Sequence, residues 1–227
     1  MPNWVMNTLT VEGNPDLVNE LKKQVAEPYV MPVQSFGDLN FTVEDKEVQE
    51  EFSFWNVIRP LDMEAYPQQP ARSKLDGNHP DWWADTTRLA KTDNSWYSWN
   101  NRNWGTKWDA TNPELVVDEE NGENWVLVYK FDTAWAPPVP VIQKLSEQYP
   151  TLLLTLDYEE EQGWGGEIEF LRGQETAISE YDEKCWECDA TDNMDYCEDC
   201  DSNVCLSCKS NREGDTCEHV KAETNGR

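Results

Sequence analysis

The chain has 227 residues, 38% hydrophobic and 11% aromatic, which is enough for a real core and too apolar for wholesale disorder. Its 45 acids against 18 lysines and arginines give a formal charge of −27. That excludes nucleic-acid binding through phosphates and argues against docking on an anionic membrane. No apolar run approaches the ~18 residues of a membrane span, and Met1-Pro2-Asn3-Trp4 lacks the basic and apolar regions of a secretory signal. The expectation is a soluble, cytoplasmic protein.

Trp4 to Val11 reads as a strand ended by Gly13. Asn14 is a helix cap and Pro15 a first-turn residue. Leu17, Val18, Leu21 and Val25 share one face of the helix that follows, which Glu27-Pro28 stops. Further on, Trp125, Leu127, Tyr129 and Phe131 alternate with Val126, Val128, Lys130 and Asp132, a strand with one aromatic face. Pro137-Pro138-Val139-Pro140 opens a helix carrying Val141, Ile142, Leu145 and Tyr149, and Pro150 closes it. Thr151–Glu159 and Trp164–Leu171 then form a hairpin about Gln162-Gly163. This order predicts an α+β fold, a ferredoxin-like antiparallel sheet with helices on one face.

Composition divides the chain. Residues 1–172 hold eleven of the twelve tryptophans, and all seven cysteines lie between Cys185 and Cys217. We expect a body over 1–172 interrupted by a tryptophan-rich insertion at about 52–118, a linker over 173–182, a zinc-binding module over 183–220 and a disordered tail over 221–227. In the insertion, Trp96, Trp99 and Asn103 or Trp104 follow a helical spacing that Gly105 stops. Trp96, Trp99, Trp104 and Trp108 are expected to cover the open face of the sheet, or else to form a platform for a partner or small ligand.

Three blocks carry a resemblance: Met1-Pro2-Asn3-Trp4 with Asn7; Trp96-Tyr97-x-Trp99 to Asn103-Trp104-Gly105-Thr106-Lys107-Trp108-Asp109-Ala110; and Phe131-x-Thr133-Ala134-Trp135-x-Pro137-Pro138. Over about the first 172 residues the chain resembles a family of small bacteriophage and mobile-element proteins with a ferredoxin-like domain. The resemblance implies that fold and a viral origin, and supplies no catalytic residues.

The tail reads Cys185-x2-Cys188-x8-Cys197-x2-Cys200-x4-Cys205-x2-Cys208-x8-Cys217-x-His219. Eight soft or borderline ligands suffice for two tetrahedral Zn²⁺ ions, and closed four-ligand shells make such ions structural. Sequential pairing joins Cys185, Cys188, Cys197 and Cys200, then Cys205, Cys208, Cys217 and His219. Interleaved pairing joins Cys185, Cys188, Cys205 and Cys208, then Cys197, Cys200, Cys217 and His219. Interleaving uses the short gap between Cys200 and Cys205 as a crossing point, and is the expectation. The spacing resembles the ZZ-type zinc finger, with Cys217 where that family has a histidine and one residue fewer between the second and third pairs. Such modules bind protein N-termini through an acidic pocket, which makes Asp189, Asp192, Asp195, Asp199 and Asp201 candidates for partner contact.

Signs of catalysis are sparse. Of two histidines, His219 is a ligand candidate and His79 sits in a turn-like Gly77-Asn78-His79-Pro80. Gly163-Trp164-Gly165-Gly166 lacks the lysine and helix of a phosphate loop and reads as a hairpin bend. Runs such as Glu159-Glu160-Glu161 ordinarily face water. The leading expectation is a viral accessory protein that binds a host or defence protein with a basic surface. The alternatives are an acidic DNA mimic, which needs a long negative stripe on one face, and a carboxylate enzyme with a tryptophan-lined pocket.

Overall fold

A computed structural model describes residues 3–36, 41–60, 96–182, 185, 194–197 and 202–205. The first strand, β1 (Trp4–Gly13), runs into helix α1 (Pro15–Val25). The Asn14 side chain caps this helix, accepting from the backbone N–H of Asp16 at 3.0 Å. A separate hairpin follows, β2 (Tyr29–Phe36) with β3 (Phe41–Val48). Next come a 3₁₀ turn at Phe54–Asn56, helix α2 (Trp96–Asn103), β4 (Thr111–Asn121), β5 (Asn124–Ala134), helix α3 (Val139–Gln148), β6 (Leu153–Glu160), β7 (Gly165–Leu171) and β8 (Gln174–Tyr181). Two short strands, β9 (Met194–Cys197) and β10 (Ser202–Cys205), pair with each other.

Six strands make one sheet in the order β4-β5-β1-β6-β7-β8, with every pairing antiparallel. The series β1-α1-β4-β5-α3-β6 is a β-α-β-β-α-β unit, and its strands lie in the ferredoxin-like order. β7 and β8 extend that unit at one edge. α1 and α3 cover one face, where Val18, Leu21 and Val25 of α1 and Val141, Ile142 and Leu145 of α3 are buried against Val5, Leu9, Leu127, Tyr129, Leu154 and Leu156. The helices also meet through Gln24, which donates to Gln148 and accepts from the Tyr149 hydroxyl at 2.7 Å.

Three expectations change here. Both ends of the expected insertion belong to the body. Phe52, Phe54 and Trp55 are buried in the core, and Thr111–Asn121 is the second strand of the ferredoxin-like unit. The expected linker is mostly strand: Arg172 (φ 58°) and Gly173 (φ 72°) form a tight turn that sends β8 back along β7, as two successive positive φ values do in a hairpin. Finally, the Trp104 cluster sits on the helix-covered side of the sheet. Trp104 meets Phe54 edge-on at 5.9 Å, and Phe54 meets Phe131 at 5.8 Å. The aromatic side of β5 faces the helices, so that is where further aromatic rings find apolar partners.

Candidate functional site

The blocks that carry the family resemblance come together at one end of the sheet. Asn7 is buried in β1 and its amide donates to the carbonyls of Val5 (2.8 Å) and Phe131 (3.2 Å) and to Thr133 Oγ1 (3.0 Å). Thr133 in turn donates to the Ala136 carbonyl. Thr106 Oγ1 donates to the Ala134 carbonyl at 2.8 Å, and the indole N–H of Trp104 to the Ile58 carbonyl at 2.9 Å. Gly105 has φ +79°, and a Cβ there would meet Pro140 Cδ at 2.8 Å, so only glycine lets the tryptophan block seat on the start of α3.

Asp109 ties the block to the 3₁₀ turn. Its carboxylate accepts from the backbone N–H of Phe54 (2.6 Å) and of Ala110 (2.7 Å) and from Ser53 Oγ (2.7 Å). Longer contacts come from Trp55 N and the Tyr29 hydroxyl, both 3.4 Å. Burial pushes the carboxyl above its ordinary value, with the bonds from Ser53 and the Phe54, Ala110 and Trp55 N–H groups pulling the other way. These residues hold segments together and present no nucleophile or general base to solvent. The signature is architectural.

Trp104 is 1% exposed, so it offers no surface to a partner, and Trp96 and Trp99 are partly buried against the same core. Trp108 lies against Trp4 (5.9 Å between centroids) with the Lys107 ammonium 4.2 Å from its ring centre. The glycine-rich turn is no phosphate cradle. Gly165 and Gly166 are in β7, where a Cβ would strike the Tyr158 carbonyl at 2.2 Å or the Ser179 carbonyl at 2.6 Å. The Tyr158 hydroxyl passes Gly166 to donate to Glu180 at 2.7 Å.

The opposite face of the sheet is the charged one. Strand register places Glu114, Lys130, Thr8, Asp157, Glu167 and Ser179 in one row, and Thr111, Asp132, Met6, Glu159, Gly165 and Tyr181 in the next. Glu12, Glu119 and Glu169 share this face. Among the described strand residues of this face, eight carboxylates thus stand with one lysine, Lys130. Asp157 and Glu167, both exposed, are directly opposite one another, where like charges destabilise a sheet by up to about 1 kcal/mol. Sequence reading missed this face because it took the acids in adjacent runs; the signal was their i, i+2 spacing in Asp157/Glu159 and Glu167/Glu169.

Of the expected zinc ligands, Cys185 is buried. Cys197 and Cys205 are placed by backbone alone, and Cys188, Cys200, Cys208, Cys217 and His219 lie outside the described residues, as do His79, Asp189, Asp192, Asp199 and Asp201. Asp195 is in β9 opposite Val204. Cys197 pairs with Ser202 and Cys205 with Met194, at opposite ends of a four-rung ladder. Three rungs at ~3.3 Å put them about 10 Å apart along it. Among the described residues, no three histidine, cysteine or acidic side chains converge as a metal site, and no helix is long and apolar enough to cross a membrane.

Residues 103–201 match the model of a family described as the ferredoxin-like domain in Api92-like protein. No curated protein matches the chain. Among solved structures, the crystal structure of a protein Api92 from Yersinia pseudotuberculosis is similar at 13% identity and a TM-score of 0.44, over 80% of this chain and 98% of that one. Over residues 103–201, the chain is therefore similar to the ferredoxin-like domain of Api92-like proteins.

Proposed function

We propose that this is a protein-binding accessory factor. Its carboxylate-lined open sheet face receives a basic surface of the partner, and a zinc-held C-terminal module adds a second contact. The carrying observation is the Asp157–Glu167 rung within a face of eight carboxylates and one lysine. Local sheet energetics favour an opposite charge or a small polar residue at that rung, so the face keeps a repulsion that a cationic partner relieves. The resemblance to phage and mobile-element proteins makes the partner a host or defence protein.

For the module, Cys197 and Cys205, with backbones about 10 Å apart along their ladder, suit two separate ions, because thiolates that each sit ~2.3 Å from one metal draw their backbones closer together than that. Both pairing schemes assign these two cysteines to different ions. A DNA mimic fits less well, since Thr8, Met6 and Lys130 interrupt the negative rows. The surface concavity along α1, lined by Asn19, Lys22, Lys23, Ala26, Glu27 and Pro28, contains no tryptophan and offers the enzyme reading nothing.

The test is affinity capture from infected-host lysate at low and high salt. The baits are the full chain, a chain ending at Asp182 and the double variant Asp157→Asn/Glu167→Gln. The cut follows β8, because removing Tyr181 would strip a rung from the sheet. The expected partner is basic, is released by salt and is weakened by the double variant. Recovery of the same partner irrespective of salt and of the double variant would sink the proposal. Loss on truncation alone would move recognition to the tail.

A further inference from the structure

Trp135 directly follows β5 in a left-handed backbone conformation, φ +76°, with its side chain 51% exposed. For a bulky residue that conformation costs roughly 1–2 kcal/mol. The other two non-glycine residues with positive φ among the described residues are Asn112 and Arg172. Asparagine tolerates this region, and Arg172 belongs to the β7–β8 turn. Among the described residues, no ring contact or side-chain hydrogen bond asks for an indole at position 135. Its local tie is the backbone N–H donating to the Asn3 carbonyl at 3.0 Å, a bond that any residue but proline makes. A half-exposed ring gains back only part of the strain through burial.

The surroundings say what the ring is suited to meet. β1 starts where β5 and β6 end, so Trp135 shares this end of the sheet with Trp4, whose carbonyl accepts from Glu161 N at 3.2 Å. Met6, 50% exposed, has Asp132 on one side and Glu159 on the other. The exposed thioether thus has a carboxylate on each neighbouring strand, at the end of the sheet where the exposed indole also lies. Nearby, the Lys107 ammonium already rests over the Trp108 ring at 4.2 Å, so a cation on an indole is an arrangement this chain uses.

From this we infer that Trp135, at the sheet end it shares with Trp4, Asp132 and Glu161, is the anchor on which a lysine- or arginine-bearing segment of the protein partner docks. The inference rests on the basic-partner reading above and names its point of strongest contact. Aromatic anchors at the centre of an interface dominate its energetics, and a cation desolvated against an indole adds to that.

The probe is a set of fluorescein-labelled twelve-residue peptides carrying lysines and arginines around one leucine or phenylalanine. A matched set has glutamine at every cationic position. Fluorescence anisotropy is measured on the full chain, on Trp135→Asn, on Trp135→Phe and on Asp157→Asn/Glu167→Gln, with urea midpoints in parallel. The wild type should bind members of the cationic set and not the glutamine set. Trp135→Asn should bind at least about tenfold more weakly, Trp135→Phe should retain most of the affinity, and the Trp135→Asn midpoint should equal or exceed the wild type's. If Trp135→Asn binds like wild type while the double variant weakens, the anchor is overturned and the basic-partner reading stands. If Trp135→Asn unfolds clearly earlier, the indole belongs to the fold and the inference fails. If wild type does not distinguish cationic from glutamine peptides, both fall.

Discussion

Replacing Asp109 by alanine tests whether the family signature is architectural. Five donors surround its carboxylate, and they do not lose equally. Trp55 N keeps Ser53 Oγ as an acceptor at 3.2 Å, and Ser53 Oγ still reaches the Tyr29 hydroxyl at 3.0 Å. Phe54 N and Ala110 N lose their 2.6 Å and 2.7 Å acceptors. Each partly buried donor left unpaired costs about 1–3 kcal/mol. Allowing some water at these half-buried groups, the expected loss is about 2–4 kcal/mol. In a body of this size that lowers the melting midpoint by roughly 5–15 °C. Urea unfolding followed by tryptophan fluorescence reads it directly, since Trp55 lies in the turn and Trp104 packs edge-on against it. Asp109→Asn keeps one acceptor oxygen and should fall between the two. A loss under about 0.5 kcal/mol for the alanine variant would show that the tryptophan block does not depend on this carboxylate.

Acidification gives a second handle on Asp109. Its carboxyl is raised in the folded chain by burial, so its stabilising contribution is complete below the ordinary aspartate range and is lost as pH rises through the folded value. Asp118 is lowered by its bonds from Lys22 and Trp125 and acts in the opposite sense, but it is largely exposed and weak. Urea midpoints should therefore rise as pH falls toward the ordinary aspartate range, and Asp109→Asn should flatten the rise at high salt, where general repulsion is screened; an unchanged slope contradicts the assignment. Gly166→Ala forces a Cβ to within 2.6 Å of the Ser179 carbonyl and should cost at least about 1–3 kcal/mol in the same assay; a neutral variant would mean β8 is free to move away. Elemental analysis should return two zinc ions per chain, and Cys185→Ser with Cys205→Ser should lose one ion under interleaved pairing and both under sequential pairing. Absence of zinc from the wild type would end the zinc reading.

Much of the frame was legible because its signals are local. Asn14-Pro15 starts α1 by capping, and β5 shows its aromatic side by strict alternation, with Leu127, Tyr129 and Phe131 buried. β4 escaped notice because an edge strand has little to bury. Leu115 and Val117 are its half-buried aliphatic side chains, set among Asn112, Pro113 and four acids. β8 is exposed from Gln174 to Glu180, so it has no hydrophobic pattern at all, and only the turn at Arg172-Gly173 betrays it. β2 carries no expectation from sequence, and its Pro32 would disfavour a central strand, yet a two-stranded ribbon consists of edges and tolerates it. The helical spacing of Trp96, Trp99 and Trp104 was readable. The side of the sheet they pack on was not, because Phe54, which settles it, is far away in sequence. The same distance hid Asp109, one acid among 45 until Ser53 and Phe54 are folded against it.

The two faces of the sheet follow different rules. On the helix side the polar groups serve packing: Asp109 collects five donors, and Asn7 stitches β1 to β5. Elsewhere the chain keeps costs that its fold does not require, a like-charge rung at Asp157 and Glu167 on the open side and a left-handed tryptophan at 135 just past the end of β5. Together these cost about 1–3 kcal/mol, a sizeable part of the 5–15 kcal/mol by which domains are stable. Adaptation to a salty cytoplasm accounts for acidic surfaces, because carboxylates hold water where screening is strong. It gives no reason to hold an exposed indole in strain at the end of the sheet. A cationic partner accounts for both features at once, relieving the repulsion between the carboxylates and covering the ring.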